Sequence, residues 1–232
     1  MEEIVMKKIV LANWKAHLGP GQAADWVGRF TAGHEPVAGV EVVLAVPDLC
    51  MQQVHSLLQG TKGISLAAQA VSPYPPGSYT GATPALWYRG VAGYALVGHQ
   101  ERRRYFHEDV QTVAAQVRES VAAGLRPVVC VDHAGAAAQV AALDSGDIEQ
   151  GLFAYTPQEA VSLEKVREYD EIGKMANLLA ELTGGRPVLY GGGVDRDNAA
   201  AIAALPGISG VMVGRACLDP AGFAALVRSL AA

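Results

Sequence analysis

The chain has 232 residues, half of them hydrophobic and 18% charged, with a formal net charge of -5. That balance supplies a sizeable core and excludes a disordered chain, and its acidic sign argues against nucleic acid as a partner. The single basic cluster, Arg102, Arg103 and Arg104, is too short for a nucleic-acid face and reads as a solvated first turn of a helix.

Short β-rich runs recur about every 30 residues, close to the length of one βα unit. They lie at 8–13, 40–46, 64–68, 94–97, 127–131, 152–155, 187–190 and 210–213. Most are apolar on successive residues, the mark of parallel strands covered on both faces. Ala-rich segments with helical periodicity separate them, at 110–123, 136–143, 163–182 and 198–205, and a closing helix is expected over 221–231 after Pro220. Eight such units predict one α/β domain over residues 1–232, a closed (β/α)₈ barrel. The alternative is an open doubly wound sheet, but no G-x-G-x-x-G follows the first strand. No apolar run reaches about 18 residues, so no transmembrane helix is expected. The start, M-E-E-I-V-M-K-K, carries no signal-peptide pattern. Cys50, Cys130 and Cys217 are odd in number and set in apolar surroundings. They read as reduced cysteines of a cytoplasmic protein, and no Cys/His spacing suggests a metal site.

In such a barrel the residues just past each strand form the active face. The first strand ends in Asn13-Trp14-Lys15, which points a lysine toward the mouth, where it suits an anionic ligand. A Pro/Gly-rich loop from Ser72 to Thr83 carries Tyr74, Tyr79 and Thr80, and its length suits a subunit contact. The fourth strand runs into Gly98-His99-Gln100-Glu101. A histidine at a helix start tends to stay neutral and to donate a hydrogen bond. Asp132 and His133 follow the fifth strand, where Asp132 reads first as a helix cap. The seventh strand ends in Tyr190-Gly191-Gly192-Gly193-Val194 and the eighth in Gly214-Arg215. Glycines there, with free N–H groups and a helix start beyond, suit a phosphate, and Arg215 can add a charge-assisted contact.

Taken together, Asn13-Trp14-Lys15, Gly77-Ser78-Tyr79-Thr80-Gly81, Gly98-His99-Gln100-Glu101-Arg102-Arg103, Cys130, Ala154-Tyr155-x-Pro157, Tyr190-Gly191-Gly192-x-Val194 and Gly210-Val211-Met212-Val213-Gly214 resemble the triosephosphate isomerase family, in order and over nearly the whole length. The resemblance implies a (β/α)₈ barrel, no metal or other cofactor, no membrane, a place in glycolysis and gluconeogenesis, and a homodimer or homotetramer joined through the Ser72 to Thr83 loop. It implies that Lys15, supported by Asn13, holds the charge of a triose phosphate or similar phosphorylated sugar. His99 then polarises the carbonyl, Glu101 stands near Lys15, and Gly192, Gly193, Gly214 and Arg215 take the phosphate.

The resemblance breaks at the sixth strand. The family base is a glutamate after the tyrosine, and here Thr156 holds its place. A threonine hydroxyl cannot take a carbon-bound proton at neutral pH. The family's Gly-Thr-Gly lid hinge is also missing from Gln158-Glu159-Ala160-Val161-Ser162-Leu163-Glu164. Two expectations follow. One is an aldose–ketose isomerase with a substitute base, for which Glu159 is the best candidate and Asp132 a poorer one. The other is a catalytically inactive homologue that binds a phosphorylated metabolite.

Overall fold

The computed structural model describes residues 7–159 and 165–231. The N-terminal stretch 1–6 lies outside the described residues. So do residues 160–164, which hold Glu164, most of the expected lid and the start of the helix expected from Leu163.

Among the described residues, eight strands close into one barrel in sequence order. They are β1 (Lys8–Asn13), β2 (Val40–Val46), β3 (Ile64–Ala68), β4 (Tyr94–Val97), β5 (Arg126–Val131), β6 (Leu152–Tyr155), β7 (Val188–Tyr190) and β8 (Ile208–Val213). Every neighbouring pair is parallel, including the closing pair β1–β8. The chain is therefore a single (β/α)₈ barrel, with strands buried on both faces as their unbroken apolar runs require. The α-helices given with both ends among the described residues are α1 (Pro20–Thr31), α2 (Asp48–Leu57), α3 (Gln100–Tyr105), α4 (Val110–Ala122), α5 (Ala136–Ala141), α6 (Ser145–Gln150), α7 (Tyr169–Thr183), α8 (Ala199–Ala203) and α9 (Pro220–Ser229).

The pleat splits each strand between two cores. Ile9 and Leu11 point into the barrel with Val43, Leu96, Val128, Leu152 and Leu189. Val10 and Ala12 face outward, into the layer shared with the helices. Closure depends on one glycine. Gly210 pairs with Ile9 at φ +154°, and a Cβ there would stand 2.0 Å from the Ile9 carbonyl oxygen. Beside this seam Trp26 of α1 packs edge-on to Trp14, with ring centroids 4.8 Å apart, and its Nε1 donates to the Cys217 carbonyl at 2.9 Å. This aromatic clamp fixes the loop after β1 against the loop after β8, which between them carry Lys15 and Arg215.

Two expectations need correction. The helix expected over 163–182 begins at Tyr169, because the Arg167 N–H donates to the Tyr190 hydroxyl at 3.0 Å and the segment before the helix is committed to strand seven. The arginine run is not a solvated first turn. Arg102 Nε meets the buried Glu108 carboxylate at 2.6 Å and holds the turn after α3, and Arg103 reaches Asp132 at 3.4 Å and ties α3 to the β5 end. The three cysteines are free and buried. No described helix is long and apolar enough to cross a membrane.

Candidate active site

A cavity of about 260 Å³ opens at the carboxyl ends of the strands. Asn13, Lys15, His99, Thr156, Gly192, Gly193, Gly214 and Arg215 all line it. Residues from β1, β4, β6, β7 and β8, separated by up to 202 positions in sequence, thus meet at one mouth. Glu101 and Glu159 lie outside the lining.

Lys15 holds a left-handed backbone at φ 49°, which costs a non-glycine residue energy unless its surroundings fix it. Two groups do so. Its N–H donates to Asn13 Oδ1 at 3.0 Å, and its carbonyl accepts from Gln69 Nε2 at 2.9 Å. The turn throws Nζ across the mouth onto Glu101 Oε1, 2.6 Å away. It also lays Cε beside the β8 loop, where a Cβ on Gly214 would stand 3.9 Å from it.

His99 caps α3 and is buried. Its Nδ1 accepts the Glu101 backbone N–H at 3.3 Å, which places the ring proton on Nε2. Burial pushes the imidazole down to about 4, against the pull of the Glu101 carboxylate and with help from the Lys15 and Arg103 charges. The ring is neutral at pH 7. The 3.6 Å approach of Glu101 Oε2 to Nδ1 is therefore not an ion pair.

Thr156 sits on the cavity floor, 1% exposed. Its N–H donates to the Val131 carbonyl at 2.8 Å, and its hydroxyl lies 3.4 Å from the same oxygen. That contact uses the hydroxyl as a donor. The nearby Cys130 thiol is no base either, since burial pushes it up to about 12. Asp132 accepts the Gly135 N–H at 2.9 Å and faces Arg103, so it caps a turn. The exposed Glu159 carboxylate pairs with the Arg167 guanidinium.

The β7 loop is packed from above. At Gly193, φ +60°, a Cβ would fall 2.4 Å from the Val166 nitrogen. From the side, Asn198 Nδ2 donates to the Gly193 carbonyl at 2.9 Å. Asp195 also lines the cavity, but its Oδ1 accepts the N–H groups of Asp197 and Asn198.

Sequence reasoning missed Gly191, Val194, Asp195, Met212 and Ala216 in the lining, and the hydrogen bond from the Arg167 N–H to the Tyr190 hydroxyl. The signal for Asp195 was present as Asp-x-x-Asn after the glycines, a turn pattern. Arg167 gave none, because its partners come from two other segments. Among the described residues no group of three or more His, Cys, Asp or Glu converges to hold a metal ion.

A family profile described as triosephosphate isomerase matches residues 8–230. A protein named triosephosphate isomerase from Xanthomonas euvesicatoria pv. vesicatoria is 33% identical over 252 residues, covering 97% of this chain and 99% of the relative. Its namesake from Xylella fastidiosa is 32% identical over 246 residues, with 96% and 98% covered. A third, from Symbiobacterium thermophilum, is 33% identical over 248 residues, with 96% of each covered.

Proposed function

Since the chain belongs to the triosephosphate isomerase family, we propose that it binds a small phosphorylated sugar, a triose phosphate or a close relative, and does so without efficient isomerisation. The phosphate is taken by the backbone of Gly192, Gly193 and Gly214 with Arg215. The sugar's carbonyl end is directed to Lys15 and His99. The observation that carries this reading is the convergence of these residues on one cavity whose floor, at Thr156, is a hydroxyl.

The chemistry divides accordingly. A neutral His99 with its proton on Nε2 suits the polarisation of a carbonyl, and Lys15 balances the charge that gathers on oxygen. Moving a hydrogen between adjacent carbons also needs an acceptor for a carbon-bound proton. A positioned base contributes about 10²–10⁴ in rate, and Thr156 cannot supply it. A substitute base at Glu159 requires that carboxylate to leave Arg167 and enter the cavity.

The same reading makes the protein a homodimer or homotetramer of the cytoplasm. The exposed Tyr74 and Tyr79 rings stack 4.5 Å apart on the 72–83 loop, an apolar tip suited to a second copy. Three free, buried cysteines suit a reducing compartment.

Calorimetric titration of the native chain with a phosphorylated triose analogue, beside Lys15→Ala, tests the binding claim. Binding that weakens at least about tenfold in the variant supports it. Equal binding by both proteins refutes it.

A further inference from the structure

We propose that Arg167 is a positioning residue: it latches the strap 165–167 onto the phosphate end of the cavity, and ligand enters and leaves at the pace at which that latch opens. The inference rests on the phosphate placement proposed above and adds a control of exchange to the same site.

Arg167 joins three separate segments. Its N–H donates to the Tyr190 hydroxyl at 3.0 Å. That acceptor is fixed, because Tyr190 ends β7, is fully buried and packs edge-on to Tyr155 at the end of β6, with ring centroids 5.8 Å apart. The Arg167 guanidinium pairs with the Glu159 carboxylate beyond β6 and, at 3.7 Å, with Glu171 in the first turn of α7. The two residues before it lie on the β7 glycine loop. A Cβ on Gly193 would stand 2.4 Å from Val166 N and 2.9 Å from Lys165 Cα, so strap and loop touch backbone to backbone. The Val166 side chain packs against the core around the barrel. Gly193 lines the cavity and is one of the proposed phosphate contacts. The strap thus covers the phosphate end from above, and a ligand held there meets it on release.

The ties differ in strength. The Tyr190 bond is a neutral hydrogen bond at a partly buried position. The ion pairs are wetter: Glu159 and Glu171 are 71% and 52% exposed, and the Arg167 side chain is 34% exposed. Pairs of this kind contribute little each and are screened by salt, with a Debye length of about 8 Å at physiological ionic strength. Opening therefore breaks one hydrogen bond and two weak pairs, a local event far short of unfolding. Ionic strength sets how often it occurs. Lysine offers a point charge without the planar fork that reaches both carboxylates, so it replaces arginine only in part. Methionine keeps an apolar stem and carries no charge.

The test is stopped-flow release of 2-phosphoglycolate from the full chain, at low and at high salt, for the native protein, Arg167→Met and Arg167→Lys. At low salt, release from Arg167→Met should be about three- to tenfold faster than from the native chain. Arg167→Lys should fall between them, and high salt should bring the native rate toward that of Arg167→Met. Comparing the two rates at each salt concentration cancels the screening of the ligand's own charge. An unchanged release rate in Arg167→Met, or a ratio of the two rates that salt does not alter, overturns the inference and leaves the proposed function standing. Should Arg167→Met lose its fold, Glu159→Gln and Glu171→Gln decide, since each removes one exposed carboxylate and keeps the arginine. Faster release from either supports the latch, and native release from both overturns it. Failure of 2-phosphoglycolate to bind the native chain overturns the inference and the proposed function together.

Discussion

The Glu101 backbone N–H and the His99 Nδ1 are hydrogen-bonded at 3.3 Å, and that bond orients a buried ring whose protonation would leave two donors facing each other. Burial adds to the effect and pushes His99 down to about 4. The unfolded chain binds a proton near the ordinary value of about 6.5, so between these two values it is the unfolded state that holds the extra proton. The contribution of His99 to stability is therefore complete above about pH 6.5 and is lost as pH falls toward 4. Its size is on the order of 3 kcal/mol. Denaturant unfolding of the native chain and of His99→Gln across pH 4–7 should show the difference between them changing in that window. A constant difference counts against a neutral buried ring.

Arg215 begins the short turn after Gly214 and lines the cavity opposite His99's strand. A charge-assisted hydrogen bond contributes about 1.5–3 kcal/mol, so Arg215→Ala should weaken a phosphorylated ligand by roughly one to two orders of magnitude. The unphosphorylated analogue should bind both proteins alike. Calorimetry with the matched pair of ligands reads both effects.

Gly193 is held at φ +60° beneath the 165–166 backbone, and a Cβ there would stand 2.4 Å from Val166 N and 2.5 Å from the Lys165 carbonyl carbon. Neither neighbour is a flexible side-chain end. Gly193→Ala should destabilise the fold by about 1–3 kcal/mol and weaken phosphate binding, because the loop must move to admit the methyl group. Urea midpoints, together with a phosphate titration, check both.

Glu108 is 8% exposed and accepts from Arg102 Nε at 2.6 Å and Gln116 Nε2 at 2.9 Å. Removing the arginine leaves a buried carboxylate short of its cation. Arg102→Ala should cost about 2–3 kcal/mol, below the figure for a wholly buried pair because Arg102 is partly solvated. The double variant Arg102→Met/Glu108→Gln should recover part of the loss. Urea unfolding of the three proteins supplies the comparison.

The strands were legible because parallel strands buried on both faces read as unbroken apolar runs. The cavity residues were legible because barrel topology brings strand ends together. Asn13, Lys15, His99 and the two glycine loops could each be named from a position after a strand, and Thr156 from the place the family's base holds after the sixth strand. What stayed hidden depends on pairings between distant segments. Arg102 could not be matched to Glu108 without the turn that follows α3. Arg167 could not be matched to Tyr190 and Glu159, so α7 was extended too far toward its N-terminus. Asp195 went unread, although Asp-x-x-Asn after the glycines is a turn pattern, because nothing in the sequence placed that turn against the cavity.

The most direct test of the account is triosephosphate isomerase activity of the native chain beside Thr156→Glu, with Lys15→Ala as the background. The account expects native activity near that background and a rise of about 10²-fold or more when a carboxylate is restored at Thr156. Native activity far above the Lys15→Ala level, with no gain in Thr156→Glu, contradicts it and places the base elsewhere, with Glu159→Gln the next variant to measure.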